Sequence, residues 1–244
     1  MSIPKVIHYC WFGKGKMPPL SEKCIKSWKK YCPDYKIVCI NEDNFDISQN
    51  KYAKEAYDAE KWAFVSDYAR LKVLYDEGGI YLDTDVELIK PLDALINEKG
   101  YMGFDDNGVI STGLGFACEK GNELIRILLA DYDNIPFILP DGTYDLTPCP
   151  DRNTKTMQKL GLDISIQNQL FMGIQMLPED YLCPMKYYTG KKIITKNTYS
   201  IHHFCASWIS PRAKRTLFAK RILGVKLYDK LYGKFLHRFK WLEW

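Results

Sequence analysis

The fold of this chain is decided by residues 61–91, KWAFVSDYARLKVLYDEGGIYLDTDVELIKP. The first half has the apolar periodicity of a helix, which the glycine pair Gly78-Gly79 ends. The second half is a short apolar strand, Ile80-Tyr81-Leu82, that runs directly into Asp83-Thr84-Asp85. We expect the rest of the chain to be organised around this helix and strand.

Two charged residues fall on the apolar side of the predicted helix. At about 100° per residue, Asp67 and Arg70 point the same way as Phe64 and Leu74, whereas Lys72 lies opposite. Because an unpaired buried charge is costly, this acid and base need each other, a ligand or a metal ion. A buried salt bridge within the helix is one explanation, and a binding site is the other.

The D-x-D sequence favours a binding site. Asp83 and Asp85 supply hard oxygen ligands at the end of a buried strand, which is where open α/β sheets bind ligands. A D-x-D sequence alone is common in surface turns. Its position after S-D-x-x-R and G-G-I-Y-L makes it much more specific.

The segment SDYARLKVLYDEGGIYLDTDV, residues 66–86, resembles the signature of glycosyltransferase family 32, the glycosyltransferases with the sugar-binding DXD motif. It is more distantly similar to the catalytic domains of the large clostridial glucosylating toxins. The resemblance implies that Asp83 and Asp85 bind a divalent cation and the nucleotide-sugar. It also implies donor contacts at Ser66, Asp67 and Arg70, so the catalytic group is predicted to be Asp67, Arg70, Asp83 and Asp85.

The resemblance extends to an N-terminal segment. The apolar run from Lys5 to Phe12 predicts a central strand, and in the family a segment like Trp11-Phe12-Gly13 lies beside the nucleotide base. Trp11 is therefore a predicted donor contact. The residues alone also allow Trp11 to be an ordinary core side chain.

A C-terminal segment, SIHHFCASW at residues 200–208, resembles the family motif that completes the site. His202 and His203 are adjacent, so in an extended strand they face opposite sides. We expect one of them to join the metal ligands and favour His202, although either could be a hydrogen-bonded core histidine. The resemblance implies that Ser207 and Trp208 close over the donor.

A single α/β domain over residues 1–210 is predicted, with the resemblance implying a glycosyltransferase-A type, Rossmann-like fold and a mostly parallel central sheet. A helix from Ser21, as N-cap, to Tyr31 and a strand from Tyr35 to Ile40 complete the first parallel unit. Residues 134–153 are predicted to form a long loop that shapes the acceptor site. Asp105 and Asp106 are acceptor candidates, but their D-D-N-G sequence also predicts a simple turn.

The amino-acid composition limits the classes of protein to which this chain can belong. The chain has 244 residues, 46% of them apolar, which suits a sizeable folded core. Its eight cysteines show no C-x-x-C spacing, and residues 1–5 do not begin a signal peptide, so we expect free thiols in a reducing cytoplasm. No apolar run approaches the ~18 residues that cross a bilayer.

The C-terminal residues 211–244 form a second predicted unit, a basic amphipathic helical extension. They carry ten Lys and Arg against two acids, while the whole chain has a net charge of only +4. Apolar residues recur from Leu217 to Phe239 at mostly three- and four-residue steps, with Trp241 and Trp244 at the end. Such a helix packs on the domain or lies on an anionic membrane, here the inner face of the cell membrane.

The predicted function is that of a glycosyltransferase dependent on Mn²⁺ or Mg²⁺. The resemblance implies a nucleoside diphosphate sugar as donor, a glycan or lipid-linked sugar as acceptor, retention of configuration and a part in surface or capsular polysaccharide synthesis. One alternative is a catalytically silent sugar- or nucleotide-binding module, which loss of a D-x-D carboxylate would indicate. The other is a nucleic-acid-binding protein. We expect no nucleic-acid partner, because the excess of basic residues is confined to the last 34 residues.

Overall fold

The computed structural model describes residues 2–96, 100–205 and 209–236. In these ranges the regular structure consists of ten strands, eight α-helices and two short 3₁₀ turns. The strands are β1 (Val6–Cys10), β2 (Lys36–Ile40), β3 (Gly79–Tyr81), β4 (Val86–Leu88), β5 (Gly100–Phe104), β6 (Ile110–Ser111), β7 (Phe116–Cys118), β8 (Gln169–Phe171), β9 (Ile174–Leu177) and β10 (Ser200–His202). The helices are α1 (Pro19–Tyr31), α2 (Lys51–Asp58), α3 (Trp62–Glu77), α4 (Glu123–Ala130), α5 (Cys149–Lys159), α6 (Glu179–Leu182), α7 (Pro211–Leu223) and α8 (Val225–Leu236).

Eight of these strands form one central sheet in the order β2-β1-β3-β7-β5-β9-β8, with β6 paired to β5. Strands β2, β1, β3, β5 and β9 run in one direction, and β6, β7 and β8 run in the other. The predicted α/β fold with a mostly parallel sheet is therefore confirmed. A separate antiparallel pair, β4 with β10, brings the D-x-D turn next to the C-terminal histidines.

The sheet separates two cores, and the alternation of side chains along its strands determines which core each residue joins. In β3, Ile80 belongs to the core on one face of the sheet and Tyr81 to the core on the other. One core contains side chains of α2 to α5, and the other contains side chains of α1 and α6. Because both faces of β3 are covered, its residues are all buried and apolar, as the sequence predicts.

The junction between α3 and β3 is as tight as the sequence predicts. Helix α3 ends at Glu77, and the Gly78 N–H donates to Leu74 O at 2.9 Å. Gly78 and Gly79 both have positive φ angles, +72° and +106°, which glycine adopts without strain. A Cβ atom on Gly79 would also lie 2.8 Å from Val6 O in the neighbouring strand.

Two predicted boundaries are wrong, and proline is the reason for both. Helix α1 begins at Pro19, so Ser21 is a buried residue of its first turn and not the N-cap. Helix α5 begins at Cys149, inside the stretch that we predicted as a loop up to residue 153, because Pro150 starts it. Proline suits the first turn of a helix, since the missing N–H would have no partner there.

The basic C-terminal segment is helical as predicted, but it forms two helices. Gly224, at φ +79°, separates α7 from α8. Phe239, Trp241 and Trp244 lie outside the described residues. Among the described residues, the helices are too short or too polar to cross a bilayer.

We predict that Gly79→Ala lowers the free energy of unfolding by about 1–3 kcal/mol, the usual cost of holding a residue in a disfavoured backbone conformation. Alanine is strained at the positive φ angle of residue 79, and its methyl group would also lie too close to Val6 O. Urea denaturation measures the effect. Gly15→Ala is the matched control, because a Cβ there meets no atom within 4 Å. Equal stability of the two variants would show that the junction is not constrained.

Candidate active site

A cleft of about 700 Å³ opens at the carboxyl ends of β1 and β3. Trp11 follows β1 and Asp83 follows β3, and both line the cleft together with residues of α3. This is the position at which open α/β sheets bind ligands. It brings together the residues that the sequence singles out near positions 11, 67, 83 and 202.

Arg70 is at the base of the cleft, between two carboxylates. Its Nη2 lies 3.1 Å from Asp67 Oδ1 and 3.2 Å from Asp83 Oδ1, and its Nε donates to Ser66 O at 3.1 Å. The guanidinium carbon is 4.9 Å from the centre of the Tyr81 ring, whose hydroxyl donates to Asp83 Oδ1 at 2.8 Å. The pair predicted on the apolar side of the helix is thus buried, with Asp67 8% and Arg70 5% exposed.

Burial and pairing act in opposite directions on these charges. Burial raises the pKa of Asp67 and of Asp83 above the ordinary value, although the charge of Arg70 opposes it in both cases. Burial also disfavours charged Arg70, but Asp83 and its other neighbours outweigh this and raise its pKa further. One guanidinium therefore balances the charge of two buried carboxylates, and the stability of the group depends on all three residues.

Asp85 has a different environment from Asp83. Its Oδ1 lies 3.2 Å from His202 Nε2, and its Oδ2 accepts the Cys205 N–H at 2.8 Å. Burial favours the neutral acid, but the charge and hydrogen bond of His202 and the Cys205 amide outweigh it, so the pKa of Asp85 falls below its usual range. Burial likewise lowers the pKa of His202, yet Asp85 reverses this and raises it.

The two histidines point in opposite directions, as the strand geometry predicts. His203 Nε2 lies 2.8 Å from Glu87 Oε2, and Lys23 Nζ donates to the same carboxylate at 3.0 Å. The predicted alternative of His203 as a metal ligand therefore does not fit. The geometry selects His202 instead.

Asp83, Asp85 and His202 form a group suited to a divalent cation. Each offers a ligand atom, and these atoms lie within 4.8 Å of one another. Two carboxylates and one imidazole match the preferences of Mn²⁺ and Mg²⁺ for oxygen, with the nitrogen favouring Mn²⁺. The space beside them is kept open by Gly113, where a Cβ would lie 2.5 Å from Asp83 Oδ2.

Part of the cleft wall is aromatic. Trp11 is half-buried and lines the cleft, with its Nε1 donating to Gly15 O at 2.7 Å, so it is not a core residue. Ser66 also lines the cleft, and its hydroxyl donates to Trp62 O at 3.0 Å. Ser207 and Trp208, the remaining predicted donor contacts, lie outside the described residues.

Several cleft residues were not predicted from the sequence. Trp62 lies against Gly13, and Cys149 Sγ is 3.8 Å from Arg70 Nη1. Phe204 has a φ of +52°, unusual for a bulky residue, and its ring centre is 4.4 Å from that of His202. Tyr187 packs edge-on against Phe204 at 5.2 Å. The excess of aromatic residues near the motifs was the available signal, but aromatic residues are as common in cores.

The acceptor candidates Asp105 and Asp106 have structural partners. Asp105 lines the cleft, but its Oδ1 accepts the Asn107 N–H at 2.8 Å, as in the simple turn that the D-D-N-G sequence predicts. Asp106 Oδ2 accepts the Tyr187 N–H at 2.9 Å. Asp105 therefore belongs to the cleft wall, and Asp106 holds the backbone at Tyr187.

Comparison with known proteins supports the resemblance. Residues 18–101 match the model of a family described as "Glycosyltransferase sugar-binding region containing DXD motif". Inositol phosphoceramide mannosyltransferase 3 of Schizosaccharomyces pombe is 29% identical over 144 residues, which cover 56% of this chain and 39% of that protein. Inositol phosphoceramide mannosyltransferase 1 of the same organism is 26% identical over 111 residues, covering 41% of this chain and 33% of that protein. The chain thus spans well under half the length of these relatives.

A solved structure shows the same fold. The PaToxG glycosyltransferase superposes with a TM-score of 0.50 and 21% identity, over 66% of this chain and 70% of that one. The glycosyltransferase-A type fold and the resemblance of the motif stretch to the DXD glycosyltransferases are therefore confirmed.

We predict that Arg70→Met lowers the free energy of unfolding by about 3–5 kcal/mol, because it leaves Asp67 and Asp83 buried without their partner. Lys72→Met is the matched control. Lys72 is on the same helix and pairs with Asp76 at the surface, so its loss costs less than about 1 kcal/mol. Thermal and urea unfolding compare the two. Similar losses in both variants would contradict the role given to Arg70.

Proposed function

We propose that the chain transfers a sugar from a nucleoside diphosphate sugar to an acceptor, in a reaction that depends on a divalent cation. The observation that carries this proposal is the group of Asp83, Asp85 and His202 beside Arg70. These residues line a cleft at the edge of the sheet, and the cleft is large enough for a nucleotide-sugar. The family match over residues 18–101 supports it.

Asp83, Asp85 and His202 would hold the cation, for which we propose Mn²⁺ ahead of Mg²⁺. When bound, such an ion neutralises the negative charge that develops on a diphosphate leaving group. The two carboxylate ligands are held in place by different neighbours. Asp85 is held by His202 and the Cys205 amide, and Asp83 by Arg70 and the Tyr81 hydroxyl.

Arg70 is fixed before any donor arrives. Asp67 and Asp83 contact its Nη2, and its Nε donates to the Ser66 carbonyl, so little side-chain entropy remains to be lost on binding. We infer that it contacts the sugar or the diphosphate, and that Asp67 sets its orientation. A preorganised positive charge is most effective where charge appears during the reaction.

The aromatic residues near the Gly13 loop would bind the base of the nucleotide. Trp11 follows the family pattern for this contact, and Trp62 lies beside the same Gly13 loop. Both rings offer flat apolar surface, with an N–H at the edge. We propose transfer with retention of configuration, following the family resemblance, and a role in polysaccharide or glycolipid synthesis.

The acceptor is proposed to be a glycan or a lipid-linked sugar. The two relatives from Schizosaccharomyces pombe are named for mannosyl transfer to inositol phosphoceramide, which is a lipid. Their names support a lipid-linked acceptor without identifying it. Mannose is accordingly the first donor sugar to test.

The proposal is tested with a panel of nucleoside diphosphate sugars, with Mn²⁺, with Mg²⁺ and with chelator. A true donor raises the unfolding temperature in the presence of the ion and is slowly hydrolysed or transferred. Binding without hydrolysis or transfer to any glycan or glycolipid would instead indicate a silent binding module. No stabilisation by any member of the panel would overturn the proposal.

We predict that Asp85→Asn reduces sugar transfer or donor hydrolysis at least about 100-fold, the scale of losing one electrostatic contact to the transition state. Asparagine keeps an oxygen that can accept the Cys205 N–H, so the fold survives. Turnover is measured at saturating donor and cation. Asp93→Asn, at an exposed carboxylate paired with Lys5, is the control and keeps full turnover. Normal turnover by folded Asp85→Asn would end the assignment.

A further inference from the structure

We propose that the exposed face of the C-terminal helices α7 and α8 binds an anionic membrane surface. On α7 the exposed residues Lys214, Arg215, Phe218 and Ile222 are spaced one, three and four positions apart and so share one face of the helix. Phe218 and Ile222 are each 66% exposed. Exposed apolar side chains that adjoin one another on one face, unlike ones scattered singly, mark interaction surfaces.

Residues that flank this face hold α7 in place. Leu217 is buried, and Arg221 donates from Nε and Nη2 to Tyr187 O at 3.1 and 3.0 Å. Lys220 lies 5.4 Å above the Tyr188 ring and 3.4 Å from Asp229 of α8. Part of the helix surface therefore packs on the domain, as in the first interpretation of the tail, while the exposed face presents apolar and basic groups outward.

A neighbouring hairpin extends this surface. Met185 and Lys192 form its bridge, and the exposed residues Lys191, Lys192, Ile193 and Ile194 follow its tip at Gly190. Gly190 adjoins α7, because a Cβ there would lie 3.5 Å from the Arg221 side chain. The hairpin repeats the composition of the helix face, with two lysines beside two exposed isoleucines.

The charge and the exposed apolar groups together indicate which kind of partner binds this surface. Residues 209–236 contain eight Lys and Arg and one acid, so the same surface of a second copy of this chain would be repelled. A nucleic acid would account for the charge but not for exposed Phe218, Ile222 and Leu227. A bilayer with anionic headgroups satisfies both, because aliphatic groups enter the interface while the cations stay at the phosphates.

The packed side of α7 adjoins the cleft. Tyr187, whose carbonyl holds Arg221, and Tyr188, beneath Lys220, both line the cleft. A chain docked by α7 would hold the cleft mouth next to the headgroups, where a lipid-linked acceptor lies. Docking itself does not require the cleft to be catalytic, so it can be measured without any sugar donor.

The test is co-sedimentation of the full chain with phosphatidylcholine vesicles, with and without phosphatidylglycerol. We expect binding only to the anionic vesicles. It should fall steeply as ionic strength rises from about 0.1 M to about 1 M, which shortens the Debye length from about 10 to about 3 Å. Lys214→Gln/Arg215→Gln should weaken binding at least about tenfold, since each basic residue near the surface contributes substantially. Phe218→Ser/Ile222→Ser should weaken it several-fold at every salt concentration.

Matched controls distinguish binding by this surface from non-specific binding by other exposed residues. Ile166→Ser/Leu170→Ser removes apolar groups that are 51% and 67% exposed elsewhere, and Lys155→Gln/Lys159→Gln removes two exposed cations of α5. Both controls should bind as the unaltered chain does. Equal binding by all variants, no binding to anionic vesicles at low salt, or binding to DNA or RNA duplexes in place of vesicles would overturn the proposal. Unfolding temperatures confirm that each variant is folded.

Discussion

The structure depends on one guanidinium that neutralises two buried carboxylates. Arg70 contacts Asp67 of its own helix and Asp83 of the following strand end, so it joins the two elements as well as balancing their charge. Neither contact alone accounts for its burial, because three desolvated charges need a shared arrangement. The glycine junction makes that arrangement available, since it lets β3 return directly beneath the helix that carries Arg70.

Much of the fold follows from local patterns in the sequence. The wheel of α3 places Asp67 and Arg70 inward, and the structure buries both. The apolar run of β3 and its parallel pairing with β1 are likewise as expected. The patterns fail at helix starts, where Pro19 and Pro150 act as first-turn residues although proline usually signals a break. They also do not show where the strand direction reverses, which depends on pairing between distant segments such as β3 and β7.

The candidate site likewise contains residues that can be predicted from the sequence and residues that cannot. Residues within one motif, such as Asp83 and Asp85, can be selected by their spacing. The choice of His202 over His203 depends on the register of β10 against β4, which places His202 opposite Val86. Residues such as Cys149 and Tyr187 reach the cleft from segments without any motif, and their types are also those of ordinary core residues. Their role comes from position alone, and no local pattern encodes that.

The pairing of β4 with β10 also affects the order in which the molecule is assembled. Asp85 receives the His203 N–H on its backbone carbonyl and the Cys205 N–H on its carboxylate, from residues about 120 positions later in the chain. Contacts of such long sequence separation form late in folding, because they close the largest loops. During synthesis, a chain that has emerged only as far as β9 can already pair the strands of the central sheet and bury Arg70. It still has only two of the three proposed cation ligands, so the complete candidate site arises last, after nearly the whole domain has left the ribosome.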